Sequence, residues 1–141
     1  MSYVDEAAFY RAALLLGLIR GPQVIAWADE VLGKDAAPPA PFTEIATTDP
    51  DELTQLRHHL FELSGEGQSG DVVRRLLGLV HADLSSGRRT FTDTLTVLRQ
   101  LRGFLKLDRD LNEHMKALAV DVGLGRDGAE ARVKDWLQSF A

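Results

Sequence analysis

Apolar side chains recur three and four residues apart along nearly the whole chain, and no stretch alternates apolar and polar residues with the period of a strand. That pattern restricts the fold to packed helices. Glycine or proline closes almost every helical run, so the helices are short and turn back on one another. The fold class is therefore all-α, with about seven short helices in an irregular or orthogonal antiparallel bundle. A short HEAT-like α-solenoid is the alternative, although no self-similar repeat of fixed period can be aligned. At 141 residues the chain can bury a sizeable core, and a single helical domain over 1–141 is the expectation.

The punctuation predicts where each helix starts and stops. Asp5 is the expected N-cap of the first, which runs to about Leu18 and is apolar on most sides (Ala8, Phe9, Ala12, Leu15, Leu16), as suits a central helix. Gly21-Pro22 opens the second, which turns Val24, Ile25, Trp27, Ala28 and Val31 inward, with Gly33 expected as a left-handed cap. Residues 34–48 form a proline-rich irregular segment, pinned by Phe42 and Ile45, with room for a strand or one helical turn near 43–46. Asp49-Pro50-Asp51-Glu52 has the features of a helix start: a capping aspartate, proline at the first position and a glutamate three residues after the cap. The third helix follows through Leu56, Leu60 and Leu63. Beyond Gly65, Gly67 and Gly70 a fourth spans about 71–85 and closes at Gly87. Thr90 or Thr92 caps a fifth carrying Leu95, Leu98, Leu101 and Leu105. A sixth spans about 110–122, and a seventh from Gly128 carries Val133, Trp136 and Leu137.

Composition removes whole classes of chemistry. Cysteine is absent, which excludes disulfides, thiolate metal sites and a cysteine nucleophile. The longest early apolar run, Ala12 to Ile19, is too short to span a bilayer, and Asp5 and Glu6 before it are wrong for a secretory signal. A cytoplasmic protein without membrane association is expected. The serines at 64, 69, 85, 86 and 139 lie at helix ends, none in a Gly-x-Ser-x-Gly elbow. Gly65, Gly67 and Gly70 match the spacing of a dinucleotide fingerprint, but a helix precedes them where a strand is required. His58 and Glu62, like Asp110 and His114, stand four apart and read as surface pairs; the Glu-x-x-His of helical metal sites is missing. No catalytic, cofactor-binding or metal-ligating residue is assigned.

Charge is divided unevenly. Residues 1–70 hold eleven acids and four bases, net −7, whereas residues 71–141 hold ten acids and twelve bases, net +2. The acids gather at Asp29-Glu30, Glu44, Asp49-Asp51-Glu52 and Glu62-Glu66. Beside Trp27, on the apolar face of its helix, they make a candidate partner-binding set of Trp27, Asp29, Glu30, Glu44, Asp51, Glu62 and Glu66. In the basic half, Arg99, Arg102, Lys106 and Arg109 fall three, four and three apart, one stripe if the fifth helix extends that far. An acidic chain (net −5) without aromatics in that stripe disfavours nucleic acid as the partner.

The segment Ala13-Leu14-Leu15-Leu16-Gly17-Leu18-Ile19, then Val24-Ile25-Ala26-Trp27-Ala28-Asp29, with Pro38-Pro39 and Phe42-Thr43-Glu44-Ile45 following, resembles the opening of small bacterial all-helical proteins, some of toxin-immunity type. The resemblance covers the first third of the chain and implies binding to a cognate protein rather than catalysis. The leading expectation is accordingly a protein-binding module, of immunity or adaptor kind, meeting a basic partner through its acidic face. A structural, homo-oligomerising domain is the first alternative. A small-ligand-binding or enzymatic domain using His58, His81 or His114 is the second.

Overall fold

The computed structural model describes residues 2–66 and 69–141, so Gly67 of the glycine triplet lies outside the described residues. Among them are eight helices and no strand: α1 (Tyr3–Leu15), α2 (Gly21–Lys34), α3 (Pro41–Ala46), α4 (Leu53–Ser64), α5 (Gly70–Ser85), α6 (Phe91–Phe104), α7 (Arg109–Gly123) and α8 (Ala129–Gln138). The all-α expectation holds. The eighth helix is α3, which forms inside the proline-rich segment because Pro41 stands at its first turn, where a missing N–H costs nothing. Two compact units result, residues 1–72 and 73–141.

In the first unit, α1 packs along α4, and α2 and α3 close against them. Ala7, Ala13, Val24, Ala28, Phe42, Ile45, Leu56 and Leu60 are fully buried. α1 starts earlier than Asp5 suggests. Ser2 is its cap, its hydroxyl accepting from the Asp5 amide at 3.2 Å, which leaves Asp5 in the first turn, where its charge favours the helix dipole. Gly33 does not cap α2, which continues to Lys34 and ends on Asp35 in extended conformation. Asp49 Oδ1 accepts the Asp51 amide at 2.9 Å, and this local turn postpones the start of α4 to Leu53.

Trp27 is buried in an aromatic cluster. Its ring stacks on Tyr10 at 4.6 Å and meets Phe42 edge-on at 5.0 Å, and Tyr3 also packs edge-on against Phe42. The indole Nε1 donates to Glu6 Oε2 at 3.1 Å, so its one polar atom is satisfied. Trp27 is a core residue, and an exposed hot spot there is ruled out.

In the second unit, α5 contributes Val73, Leu76, Leu77 and Val80 to the interior, α6 contributes Val97 and Leu101, and α8 contributes Val133 and Leu137. α6 packs on α7 and α7 on α8. α5 reaches the C-terminal residues so closely that a Cβ at Gly78 would lie 2.8 Å from the Phe140 carbonyl oxygen. Thr90 caps α6 by accepting the Asp93 amide, as expected, and Asp108 caps α7 in the same way through Leu111. Gly87, at φ 76°, supplies the left-handed turn after α5.

Candidate functional site

The second unit contains a cleft of about 330 Å³ between α6, α7 and α8. Helical spacing creates it. On α6, Thr92, Leu95, Thr96, Arg99 and Arg102 fall on one side at steps of three, one, three and three, and on α7 Met115, Leu118, Ala119 and Val122 do likewise. Leu98, Met115 and Val133 are buried and form the floor, whereas Leu95, Leu118, Val122 and Trp136 are half-buried walls. The cleft runs about 15 Å, from ten residue steps along α6 at about 1.5 Å each. It is long, narrow and mostly apolar.

Two cations flank this apolar lining. Arg99 is exposed, and Arg102 is half-buried with its Nε donating to Asn112 Oδ1 at 3.4 Å. Among the described residues neither guanidinium has a carboxylate partner. Most other arginines of this unit do pair: Arg88 and Arg89 approach Asp83, Arg109 holds Glu113 at 3.1 Å, and Arg126 and Arg132 share Asp121. The four-residue basic stripe is not formed. α6 ends at Phe104, so Lys106 lies in the following loop and Arg109 opens α7. Only its first two members share a helix face, and these are the two beside the cleft.

The expected acidic set is dispersed and partly neutralised. Asp29 and Asp51 are exposed without an ion pair among the described residues, and Glu66 is exposed near α4. Glu30 binds Lys34 at 2.7 Å, which holds the Glu30 carboxyl below and the Lys34 ammonium above their ordinary values. Glu44 and Glu62 are brought together, and His59 joins them. His59 Nδ1 lies 3.0 Å from Glu44 Oε2 and 3.0 Å from Glu62 Oε1, while His58 Nε2 lies 3.4 Å from the same Glu62 oxygen.

The remaining histidines make no acid–base constellation among the described residues. His114 lies against Trp136, ring centroids 5.7 Å apart, and forms no bridge to Asp110. Ser85 Oγ sits 3.2 and 3.5 Å from the two ring nitrogens of His81, so neither is singled out as a base, and no carboxylate orients the ring. Sequence reasoning missed His59 and treated Trp136 as plain core. The available signal was His59-x-x-Glu62, the helical metal spacing in reverse order. The chain matches no family model, and no curated protein or solved structure compared with it matches.

Proposed function

We propose that this chain is a non-catalytic binding protein of the cytoplasm, and that the cleft of the second unit receives an acidic amphipathic segment of a protein partner. The observation that carries the reading is an apolar cleft flanked by two guanidiniums with no internal counter-ion. Apolar anchors would fill the cleft, and carboxylates would form bidentate pairs with Arg99 and Arg102. The length of the cleft favours a helix as occupant: anchors at i, i+3 or i+4, and i+7 span about 10.5 Å at 1.5 Å per residue, within the about 15 Å available. Its volume lies at the low end of the ~300–1,000 Å³ typical of small-molecule sites. An adaptor or immunity role would be one form of such binding, and the charge it uses is basic rather than acidic.

The test is a peptide series read by fluorescence anisotropy with the whole chain. An amphipathic helical peptide with carboxylates beside its apolar face should bind, and its basic counterpart should bind at least tenfold more weakly. Arg99→Glu with Arg102→Glu should abolish the preference. Equal binding of both peptides, or an unchanged preference in the reversed protein, would overturn the proposal. So would saturable binding of a medium-chain carboxylate in the absence of any peptide binding, which would make the occupant a small amphiphile.

A second reading, an acidic surface of the first unit meeting a basic partner, is favoured by the exposed and unpaired Asp29 and Asp51. Asp29→Lys with Asp51→Lys should then weaken capture of a basic partner, and unchanged affinity would remove that reading.

A further inference from the structure

The cluster on α3 and α4 gathers three donor atoms, with a fourth carboxylate against one of them. α4 supplies His58, His59 and Glu62, and their ligand atoms all lie within 4.8 Å of one another. α3 adds Glu44, whose Oε2 stands 3.0 Å from His59 Nδ1. The Nδ1 of His59 carries at most one hydrogen, yet two carboxylates face it at equal distance. One hydrogen can point at only one of them, whereas a divalent cation can be held by several carboxylates and imidazoles together.

We infer that His58, His59, Glu62 and Glu44 form a divalent-metal site, with zinc as the fitting ion. A tetrahedral zinc ion with bonds of about 2.0–2.1 Å separates adjacent ligand atoms by about 3.3–3.4 Å. Three of the six ligand pairs stand at 3.0, 3.0 and 3.4 Å, close to that spacing; rotation of His58 and of the Glu44 carboxylate, which now meets His59, would complete the set. Two imidazoles with two carboxylates are a borderline donor set suited to zinc, and the two negative charges cancel those of the ion. The positions also explain how one helix can present three donors. Glu62 is four residues after His58 and three after His59, so its carboxylate reaches both although adjacent histidines diverge. Glu44 makes the site tertiary: bound metal would tie the six-residue α3 to α4. The His59 side chain is only 20% exposed and therefore held, while His58, at 69%, is free to swing in. No residue of the cleft takes part, so this inference and the proposed function stand or fall separately.

Zinc alone is the probe, titrated into the whole chain, free of any polyhistidine tag, against a chromophoric chelator. One equivalent should bind. His59→Gln and Glu62→Gln should each weaken binding at least tenfold, as should Glu44→Gln. His81→Gln with His114→Gln should leave it unchanged. Because all three ligand variants change half-buried or exposed side chains, far-UV circular dichroism will verify that each stays folded. Cobalt in place of zinc should give the intense visible bands of tetrahedral coordination. Absence of a stoichiometric zinc equivalent, binding indifferent to His59→Gln and Glu62→Gln, or only the weak bands of octahedral cobalt would overturn the site.

Discussion

Two glycines of the same helix should respond to alanine with opposite signs. Gly21 is buried at the first turn of α2, and a Cβ built there would stand 1.9 Å from the Pro50 carbonyl oxygen and 2.8 Å from its carbon. A comfortable carbon–oxygen contact is about 3.3–3.6 Å, so roughly 1.4 Å must be found. Backbone lies on both sides and proline's φ is fixed, so no side chain can rotate away. Gly21→Ala should therefore cost about 3 kcal/mol, the upper end of ordinary overpacking. Gly33 has open space around its Cβ position, and its φ is not positive. Gly33→Ala should stabilise by about 0.5 kcal/mol, somewhat less than the full Gly-to-Ala helix preference because the last turn frays. Urea unfolding followed by far-UV circular dichroism measures both, and each kcal/mol moves the melting point by roughly 2–8 °C at this size. Gly21→Ala within about 0.5 kcal/mol of the parent would refute the close approach of α2 to Pro50. Destabilisation by Gly33→Ala would mean that the glycine is a left-handed cap after all.

Trp27→Ala should cost about 4 kcal/mol, since a buried indole, its stacking and its bond to Glu6 are all lost; a loss below 1 kcal/mol by urea unfolding would contradict its place in the core. In the second unit Leu137→Ala, at a fully buried position, should cost about 3 kcal/mol, and a near-neutral result would show that α8 does not seal that interior. A pH response is expected where the Tyr3 hydroxyl donates to Asp35 Oδ2 at 2.8 Å. The Ala37 amide first, then Tyr3, hold the Asp35 carboxyl below its ordinary value, and the same bond raises the Tyr3 phenol above its own. The carboxyl's contribution to stability is present above its unfolded pKa and is lost as pH falls through the lower folded one. The phenol's contribution is full below about 10 and disappears as pH rises through its raised folded value. Tyr3→Phe should move the Asp35 titration, followed by NMR, only part of the way up, because the Ala37 amide remains. A complete return would reverse the order of the two causes. Asp35→Ala should bring phenolate absorbance at Tyr3 down towards ordinary pH, and an unmoved titration would deny the bond.

Local chemistry was legible wherever one residue decides. Thr90 caps α6 and Gly87 ends α5 because a hydroxyl and a missing Cβ act within a few residues. Competition between neighbours was harder to read. Ser2 outbid Asp5 as the cap of α1, and at Asp49 an aspartate–amide turn displaced the expected capping box. The prolines of 34–48 mark an irregular segment, yet proline breaks helix interiors and starts first turns, and only the packing of Phe42 and Ile45 shows that Pro41 does the second. Trp27 shows the same limit from another side. The helical period placed it inward, but its bond to Glu6 on a different helix has no mark in the spacing.

Charge counting is coarse for a related reason. A net of −7 over the first half describes a field, whereas recognition depends on which charges remain unpaired after folding. Folding ties Glu30 to Lys34 and sets Glu44 and Glu62 around His59, so the acidic half loses much of its apparent free surface. In the basic half, counterparts at Asp83, Glu113 and Asp121 take up five arginines. Arg99 and Arg102 are among the cations without a carboxylate partner in the described residues, and the end of α6 at Phe104 separates them from the rest of their sequence stripe. A pair of guanidiniums without carboxylate partners on a solvated helix would mean little, since exposed cations are ordinary. Beside an apolar cleft they acquire a direction: a carboxylate bound there sits against hydrocarbon on one side, where water competes less for it. For that reason reversal of these two charges should outweigh reversal of any two acids of the first unit in partner binding. The opposite ranking would return the function to the acidic face.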